Sequence, residues 1–317
     1  MTPAAALAGV SPGSVPNRGL IAGLGFGLAA ALMWAAYLAY ARLGVKTGLG
    51  PADFIFLRYA TAGAIMLPFL LKAGLRDLGG VGWTRGGLLA LVAGPLFIAT
   101  GVGGYVFAPL SHGVVIQPGA ITILSLPLAR WALAARPTRP QIAAVVIVAL
   151  GLAVIAVSSA RGGEAGAWRG DLLFVVAGGL WAIFTVLLRR WSVSALQATA
   201  AVAVLSAAVA VPIYLVTGGL ERLATVPPAT LATQVVVQGV FSGVLAVLAY
   251  GRAVTLLGPA RAALFTALVP GLALIVGVPV TGEIPTVLQL AGTLIVMLGL
   301  LAGLNLIKLP SPKGPAS

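Results

Sequence analysis

Ten apolar stretches, separated by short polar breaks, run along the chain from about residue 19 to residue 307. Because a helix needs about 20 apolar residues to cross the hydrocarbon core of a bilayer, each stretch predicts one membrane-spanning helix. Five of the predicted helices lie in each half of the chain. They cover residues 19–41, 52–71, 86–110, 113–134, 141–158, 171–188, 194–216, 231–254, 259–281 and 285–307.

The composition supports the same interpretation. The chain of 317 residues is 60% hydrophobic and 8% charged, with a mean hydropathy of +1.10. Soluble domains are about one quarter charged, so the composition excludes a soluble protein and predicts an all-α membrane protein. The net charge of +13 is spread singly or in pairs among the loops. Such a distribution is typical of membrane topology and does not indicate a nucleic-acid partner.

The two halves of the chain repeat each other. Nine of the sixteen positions in residues 137–152 recur 148 residues later, among them proline, threonine, glutamine and glycine in register. Further matches lie about 143 to 147 residues apart. These recurrences predict a duplicated five-helix unit, and the matched pairs are Trp34 with Trp181, Tyr37 with Phe184, Arg42 with Arg189, Tyr105 with Tyr250, Pro68 with Pro212, and Pro127 with Pro270.

The distribution of basic residues predicts the orientation of the chain. If the N-terminus is cytoplasmic, thirteen Lys and Arg residues fall on the cytoplasmic side, five fall on the other side, and one lies inside a helix. Cytoplasmic loops carry the excess of Lys and Arg, so both termini are predicted to be cytoplasmic. Because five is odd, the second unit must enter the membrane from the opposite side, which makes the repeats inverted.

Inverted repeats predict how the chain is organised and how it could work. We expect a flexible tail at 1–18, a first repeat at 19–160, a second repeat at 169–307 and a C-terminal tail at 308–317. Two inverted halves related by a two-fold axis in the membrane plane would surround a central cavity. Exchange of conformation between the halves would open that cavity to each side in turn, which is alternating access.

These residues resemble the drug/metabolite transporter superfamily, of the ten-helix EamA type. The resemblance rests on Arg58 in the second predicted helix, on the Pro127 and Pro270 helices, and on the link from Glu283 to Gln289. Within the superfamily the chain is most similar to the bacterial aromatic amino-acid exporters. The resemblance implies a secondary exporter of aromatic and other large neutral amino acids, in the bacterial inner membrane, that hydrolyses no ATP.

The halves differ at two charged positions. Ala135 occupies the position in the first repeat that Glu283 occupies in the second, and Val202 falls about where a counterpart of Arg58 would lie. Whatever these two charges do is therefore predicted to occur in one half only.

Aromatic residues and neutral amides are the candidates for a substrate cavity. Aromatic rings offer stacking worth about 0.5–1.5 kcal/mol, and amides can orient the polar end of a solute. Aromatic stripes are more often packing than binding, however. The two glutamines of the eighth predicted helix could hold helices together or line a water-filled path. The predicted cavity residues are Trp34, Tyr37, Tyr105, Gln117, Trp181, Phe184, Gln234, Gln238 and Tyr250.

Two charged residues and two prolines are candidates for gating or structural roles. An ionised side chain in a membrane costs at least a few kcal/mol unless it finds a partner or snorkels. Arg58 could therefore extend to the interface, with Asp53 as its partner, or act in substrate passage. Glu283 could cap the amides of the helix that begins near residue 285, or act in transport. Pro127 and Pro270 are predicted to kink their helices.

The charged residues also bear on mechanism. The six acidic residues fall in loops or at helix ends, and the single histidine, His112, is predicted to be peripheral. Proton coupling is therefore not expected, and transport is predicted to be facilitated diffusion or exchange. An exporter of other drugs or metabolites is one alternative. A membrane enzyme acting on lipid is another, but it would need paired acids, histidine or metal ligands. No cofactor or metal is expected; the predicted partners are a small-molecule substrate and the bilayer, with the oligomeric state open.

Overall fold

The computed structural model describes residues 17–134, 136–162 and 166–303, and every regular element within them is helical. The predictions for the N-terminal tail up to residue 16, Ala135, Glu164 and residues 304–317 lie outside the described residues. The elements are α1 Asn17–Lys46, α2 Pro51–Ala73, α3 Trp83–Ala93, α4 Pro95–Phe107, α5 Leu110–Leu133, α6 Arg139–Gly162, α7 Ala167–Trp191, α8 Ala195–Val216, α9 Gly219–Ala224, α10 Pro228–Gln234, a π-helical segment Val235–Leu245, α11 Ala246–Leu257, α12 Pro259–Thr281 and α13 Val287–Gly303.

The described helices provide ten membrane crossings, as the pattern of apolar stretches predicts. Nine helical stretches in the described residues are long and apolar enough to span a bilayer. The third crossing, Trp83–Phe107, consists of α3 and α4, and the eighth, Pro228–Leu257, contains the π-helical segment. The tenth crossing is α13, whose 17 residues form a shorter apolar helix. The predicted all-α fold of two five-helix repeats is confirmed.

The helices pack in pairs that are related by a two-fold axis, which exchanges the first repeat with the second. The fifth and tenth crossings, α6 and α13, pack against each other, and so do the second and seventh, α2 and α8. The first crossing, α1, packs on α12 and α11, which belong to the ninth and eighth crossings. Its counterpart α7 packs on α5 and α4, which belong to the fourth and third. These contacts between repeats are therefore related to one another as a two-fold axis would require.

Both repeats interrupt their third helix at the same place. In the first repeat the break lies at Gly94 and Pro95, between α3 and α4, where the proline cannot donate a helical hydrogen bond. The residue 145 positions later is Gly239, within the π-helical segment. A Cβ on Gly94 would lie 2.1 Å from the Ala90 carbonyl oxygen, and one on Gly239 would lie 2.5 Å from Cβ of Thr61. Neither position has room for a side chain.

The prolines that recur between the repeats lie inside helices, as predicted. Pro68 and Pro212 are within α2 and α8, which pack together. Pro127 and Pro270 are within α5 and α12. None of the four lines either of the cavities described below.

The two ends of the bundle differ in the acidic residues that they carry. We call one end the latched face; it carries the connections α1–α2, α4–α5, α6–α7, α8–α10 and α12–α13. The opposite end, which we call the mouth face, carries α2–α3, α5–α6, α7–α8 and α11–α12. Of the acidic residues that the structure describes, Asp53, Asp171, Glu221 and Glu283 lie at the latched face, and Asp77 lies at the mouth face.

Candidate functional site

Two adjoining cavities lie between the repeats. Their volumes are about 320 Å³ and about 200 Å³. The larger extends toward the mouth face, where Leu188, Ala195 and Thr199 line it, and the smaller reaches Gly113 and Val114 near the start of α5, toward the latched face. Together they form a path that begins near the mouth face and ends beneath the latched face. The residues common to both are Trp34, Arg58, Trp181 and Thr266.

Six of the nine residues predicted to line a cavity do so. The larger cavity is lined by Phe184 and Tyr250, the smaller by Tyr37 and Gln117, and both by the tryptophans. The rings form two groups: Trp34 lies 5.5 Å from Tyr250 between ring centroids, and Trp181 lies 5.0 Å from Phe184. The paired aromatic stripes of the two repeats thus meet at one site. The lining residues among the candidates are Trp34, Tyr37, Gln117, Trp181, Phe184 and Tyr250.

The other three candidates, Tyr105, Gln234 and Gln238, lie outside both cavities. Tyr105 is buried with its ring edge against Phe174, 4.9 Å between centroids. Gln238 Nε2 donates to Gln234 Oε1 at 3.1 Å, and Gln234 Nε2 donates to the Tyr40 carbonyl at 2.9 Å. Two roles were considered for the glutamines, holding helices together and lining a water-filled path, and the structure shows the first.

Arg58 does not pair with Asp53, which was the partner considered for it if it extended to the interface. Arg58 Nη1 donates to the Gln238 carbonyl at 3.2 Å and to Ser242 Oγ at 3.0 Å, both in the π-helical segment. The guanidinium also lies 5.4 Å from the centroid of the Tyr37 ring. Arg58 therefore points into the bundle, where it lines both cavities, and does not extend to the interface. The π-helical segment supplies partners that helical spacing within α2 could not reveal.

Asp53 instead joins the two repeats at the latched face. Its side chain is fully buried; Oδ1 accepts from Tyr214 Oη at 2.5 Å and from Arg222 Nε at 3.0 Å, and Oδ2 accepts from the Gly50 amide at 2.7 Å. Hydrogen bonding to Tyr214 and the negative charge of Asp53 raise the pKa of the Arg222 guanidinium. This cluster fixes the start of α2 against the ends of α8 and α9.

Glu283 also differs from its expected role, because it caps a different helix. Oε2 accepts from the Leu110 amide at the start of α5, at 2.9 Å, and Oε1 accepts from Arg42 Nε at 2.7 Å. Arg42 donates in addition to the Tyr105 carbonyl, and Lys46 Nζ donates to the Thr281 carbonyl at 2.7 Å. We call Arg42, Lys46 and Glu283 the latch, because they tie α1, α4 and α5 of the first repeat to the end of α12 in the second.

His112 lies at a helix end, as expected, but it is fully buried. Its Nδ1 is 2.7 Å from Asp171 Oδ1, so it joins α5 to α7 near the latched face. Ser158 and Thr286 make a further contact between α6 and the start of α13 at 3.0 Å. The latched face is therefore closed by several polar contacts that cross between repeats, of which the latch is the most highly charged.

The mouth face has fewer such contacts among the described residues. Arg190 Nη1 donates to the Ala132 carbonyl at 2.8 Å, and Gln197 Nε2 donates to the Gly79 carbonyl at 3.0 Å. The ion pairs found in the described part of the chain all lie at the latched face. The structure is consequently closed at the latched face, with its larger cavity directed toward the mouth face.

Sequence reasoning missed several polar residues of the cavities, including Tyr59, Thr185, Ser242 and Thr266. Isolated hydroxyl residues in apolar helices are weak indicators, because they can bond their own backbone. Thr266 Oγ1, for instance, donates to the Ala263 carbonyl at 2.8 Å. Tyr59 Oη donates to the Ala93 carbonyl at 3.0 Å, beside the break between α3 and α4. In the described residues, no cluster of three or more His, Cys, Asp or Glu could hold a metal ion.

Comparison with known proteins decides the family. The sequence model of the EamA-like transporter family matches the chain twice, over residues 21–157 and 168–303. The chain belongs to this family. The EamA-like family lies within the drug/metabolite transporter superfamily, and its members are membrane transporters of small solutes and not enzymes.

A solved structure, described only as the crystal structure of a protein, has the same fold as this EamA-family chain. It is 19% identical, covers 88% of this chain and 98% of its own, and superposes with a TM-score of 0.57. At this identity the likeness shows the fold alone. No curated protein matches the chain.

Proposed function

We propose that this EamA-family protein is a secondary transporter of aromatic and other large neutral amino acids, working by alternating access without ATP. The observation that carries the proposal is the aromatic-lined path between the inverted repeats, directed toward one face and closed at the other. A cavity of about 320 Å³ falls within the roughly 300–1,000 Å³ typical of small-molecule sites. The rings would stack on an aromatic side chain, while Gln117 and hydroxyl groups would bond its polar end.

The same proposal includes the orientation and direction of transport. The excess of Lys and Arg supports a cytoplasmic mouth face and a latched face on the outside. In that orientation the structure is an inward-facing state, ready to take up solute from the cytoplasm of a bacterial cell. Export through the inner membrane would then require the latched face to open after loading.

No Asp or Glu is among the described residues that line the cavities. A carboxylate in the substrate path is the usual means of loading and unloading a proton. The proposal therefore holds that solute moves down its own gradient or by exchange. His112 and Asp171 lie outside both cavities and are assigned a role in closing the latched face.

Counterflow in proteoliposomes tests this function. Vesicles loaded with unlabelled phenylalanine are expected to accumulate labelled phenylalanine, and external tryptophan, tyrosine or methionine is expected to compete. Glutamate should compete poorly, because its second carboxylate would enter an apolar cavity without a partner. Accumulation of labelled glutamate or of a nucleotide sugar in preference to phenylalanine would contradict the proposed substrate.

A pair of tryptophan variants tests the site. Trp34→Ala is expected to lower phenylalanine counterflow by roughly threefold to tenfold, because it removes a ring that lines both cavities. Trp131→Ala is the matched control, since its side chain is 86% exposed on the outside of α5. Equal counterflow rates for the two variants would show that the ring at position 34 does not contact the solute.

A further inference from the structure

Among the described residues that line the two cavities, Arg58 is the one with a cationic side chain, and it lines both. It lies eight residues into α2, which begins at Pro51, and so about 10 Å along the helix. No carboxylate of the described residues lies within 4.0 Å of its guanidinium, whereas Arg42 and Arg222 are both paired with acids. An ionisable side chain inside a membrane bundle without a counter-ion is expected to serve a ligand or an ion path.

The surroundings of Arg58 hold the guanidinium in place without neutralising it. Its two bonds to the π-helical segment, to the Gln238 carbonyl and to Ser242 Oγ, both use Nη1. The Tyr37 ring lies 5.4 Å from the guanidinium carbon, so its face supports the cation. A guanidinium carries five N–H donors in a planar fork that matches a carboxylate. The fork is thus oriented by neutral groups at the place where the two cavities meet.

The inverted symmetry confines this charge to one wall. Val202 of α8 occupies the position related to Arg58 by the repeat, and it lines the larger cavity together with Arg58. The larger cavity is therefore lined by a cationic residue on α2 and by an apolar residue at the related position on α8. A solute that satisfies both walls would have one anionic end and one apolar end.

We propose that Arg58 binds the carboxylate of the transported solute, and that the site selects monocarboxylates with an aromatic or large apolar body whether or not they carry an amino group. This inference rests on the proposed transport function and specifies its substrate class. The acceptors available to an ammonium group are neutral oxygens, such as Oε1 of Gln117 and Oγ of Ser242. An ammonium group is tolerated beside these oxygens but contributes little to binding.

Ligand binding to the purified protein tests this directly. Trp34 and Trp181 line both cavities, so quenching of tryptophan fluorescence reports occupancy. The probes are phenylalanine, 3-phenylpropionate, which lacks the amino group, phenethylamine, which lacks the carboxylate, and the uncharged 3-phenylpropanol. We expect 3-phenylpropionate to bind within a few fold of phenylalanine. Phenethylamine and 3-phenylpropanol should bind roughly ten- to hundredfold more weakly, because they cannot form the charge-assisted hydrogen bonds.

Variants of Arg58 test whether its guanidinium causes the preference for probes that carry a carboxylate. Arg58→Gln should abolish the preference for 3-phenylpropionate over 3-phenylpropanol while retaining the weak binding of 3-phenylpropanol, which shows that the cavity is intact. Arg58→Lys keeps the charge without the planar fork and should retain part of the preference. Arg76→Gln is the matched control, because it removes the same charge from an exposed residue between α2 and α3. It should bind all four probes as the unaltered protein does.

The outcomes separate this inference from the proposed function. Equal binding of phenethylamine and 3-phenylpropionate to the unaltered protein would overturn the inference without requiring any variant to fold. A preference for the carboxylate that persists in Arg58→Gln would overturn it as well. Binding of 3-phenylpropionate that depends on Arg58, without counterflow of phenylalanine, would support the inference and reject amino acids as the substrate. Absence of binding by all four probes would overturn both.

Discussion

Replacing Glu283 with glutamine is expected to open the latched face. Glu283 bonds Arg42 and the Leu110 amide, so its charge holds the two repeats together where the path is closed. The side chains of Arg42 and Glu283 are 17% and 21% exposed. An ion pair between the buried and exposed extremes contributes roughly 1–3 kcal/mol. Loss of that amount would raise the population of a state open at the latched face by about fivefold to 150-fold.

The absence of cysteine from the chain makes this change measurable. Val114 is fully buried in α5, one turn beyond Leu110, and lines the smaller cavity. A single Val114→Cys substitution should react slowly with a membrane-impermeant maleimide added outside intact cells. Adding Glu283→Gln should accelerate the labelling, whereas Glu221→Gln, which removes a charge from α9 on the same face, should not. Faster labelling from the cytoplasmic side instead would contradict the proposed orientation.

The sequence does not repeat the charge pair of the latch at the related positions, which belong to the mouth face. Arg189 is related to Arg42 by the repeat, but the position related to Glu283 is Ala135. A charge pair on one face only would favour the closed latched face when no solute is bound. We therefore expect this asymmetry to make the two related conformations unequal in free energy, with the one closed at the latched face the more stable.

A valine at Gly151 is expected to destabilise the whole transporter. Gly151 lies in α6 against α13, and a Cβ there would lie 2.9 Å from the Gly292 carbonyl oxygen and 3.0 Å from the Val296 amide nitrogen. Because both contacts are to backbone, no rotamer change can relieve them. Overpacking of this kind costs roughly 1–3 kcal/mol or more. The melting temperature of the purified protein should fall by roughly 5–10 °C.

Gly87→Val is the matched control for this stability measurement. Gly87 is an exposed helical residue of α3 with no atom within 4 Å of an added Cβ. Both variants therefore include the intrinsic effect of valine on helix stability, but only Gly151→Val also brings a side chain against the backbone of a neighbouring helix. Equal melting temperatures would show that the close contact of α6 with α13 at Gly151 does not contribute to the stability of the fold.

The sequence by itself determined the number of crossings, the duplication and the positions of the paired prolines. Apolar length is a local property, since a helix must cross the bilayer within one continuous stretch. The match of residues 137–152 to residues 285–300 records the repeat directly. The meeting of Trp34 and Trp181 at one site could also be anticipated, because the inverted repeats place both aromatic stripes near the same axis.

Only the tertiary structure decided which partner each polar residue has. Arg42 and Glu283 are 241 residues apart, and Arg58 and Ser242 are 184 apart, so no spacing along one helix relates them. Gln234 and Gln238 do have helical spacing, yet they bond each other and Tyr40 instead of facing the cavity. Most helices in this bundle are apolar on nearly every side. The hydrophobic pattern therefore says little about how each helix is rotated about its own axis. Close contacts at glycines and the scarcity of polar partners fix that rotation, and both depend on helices that are distant in sequence.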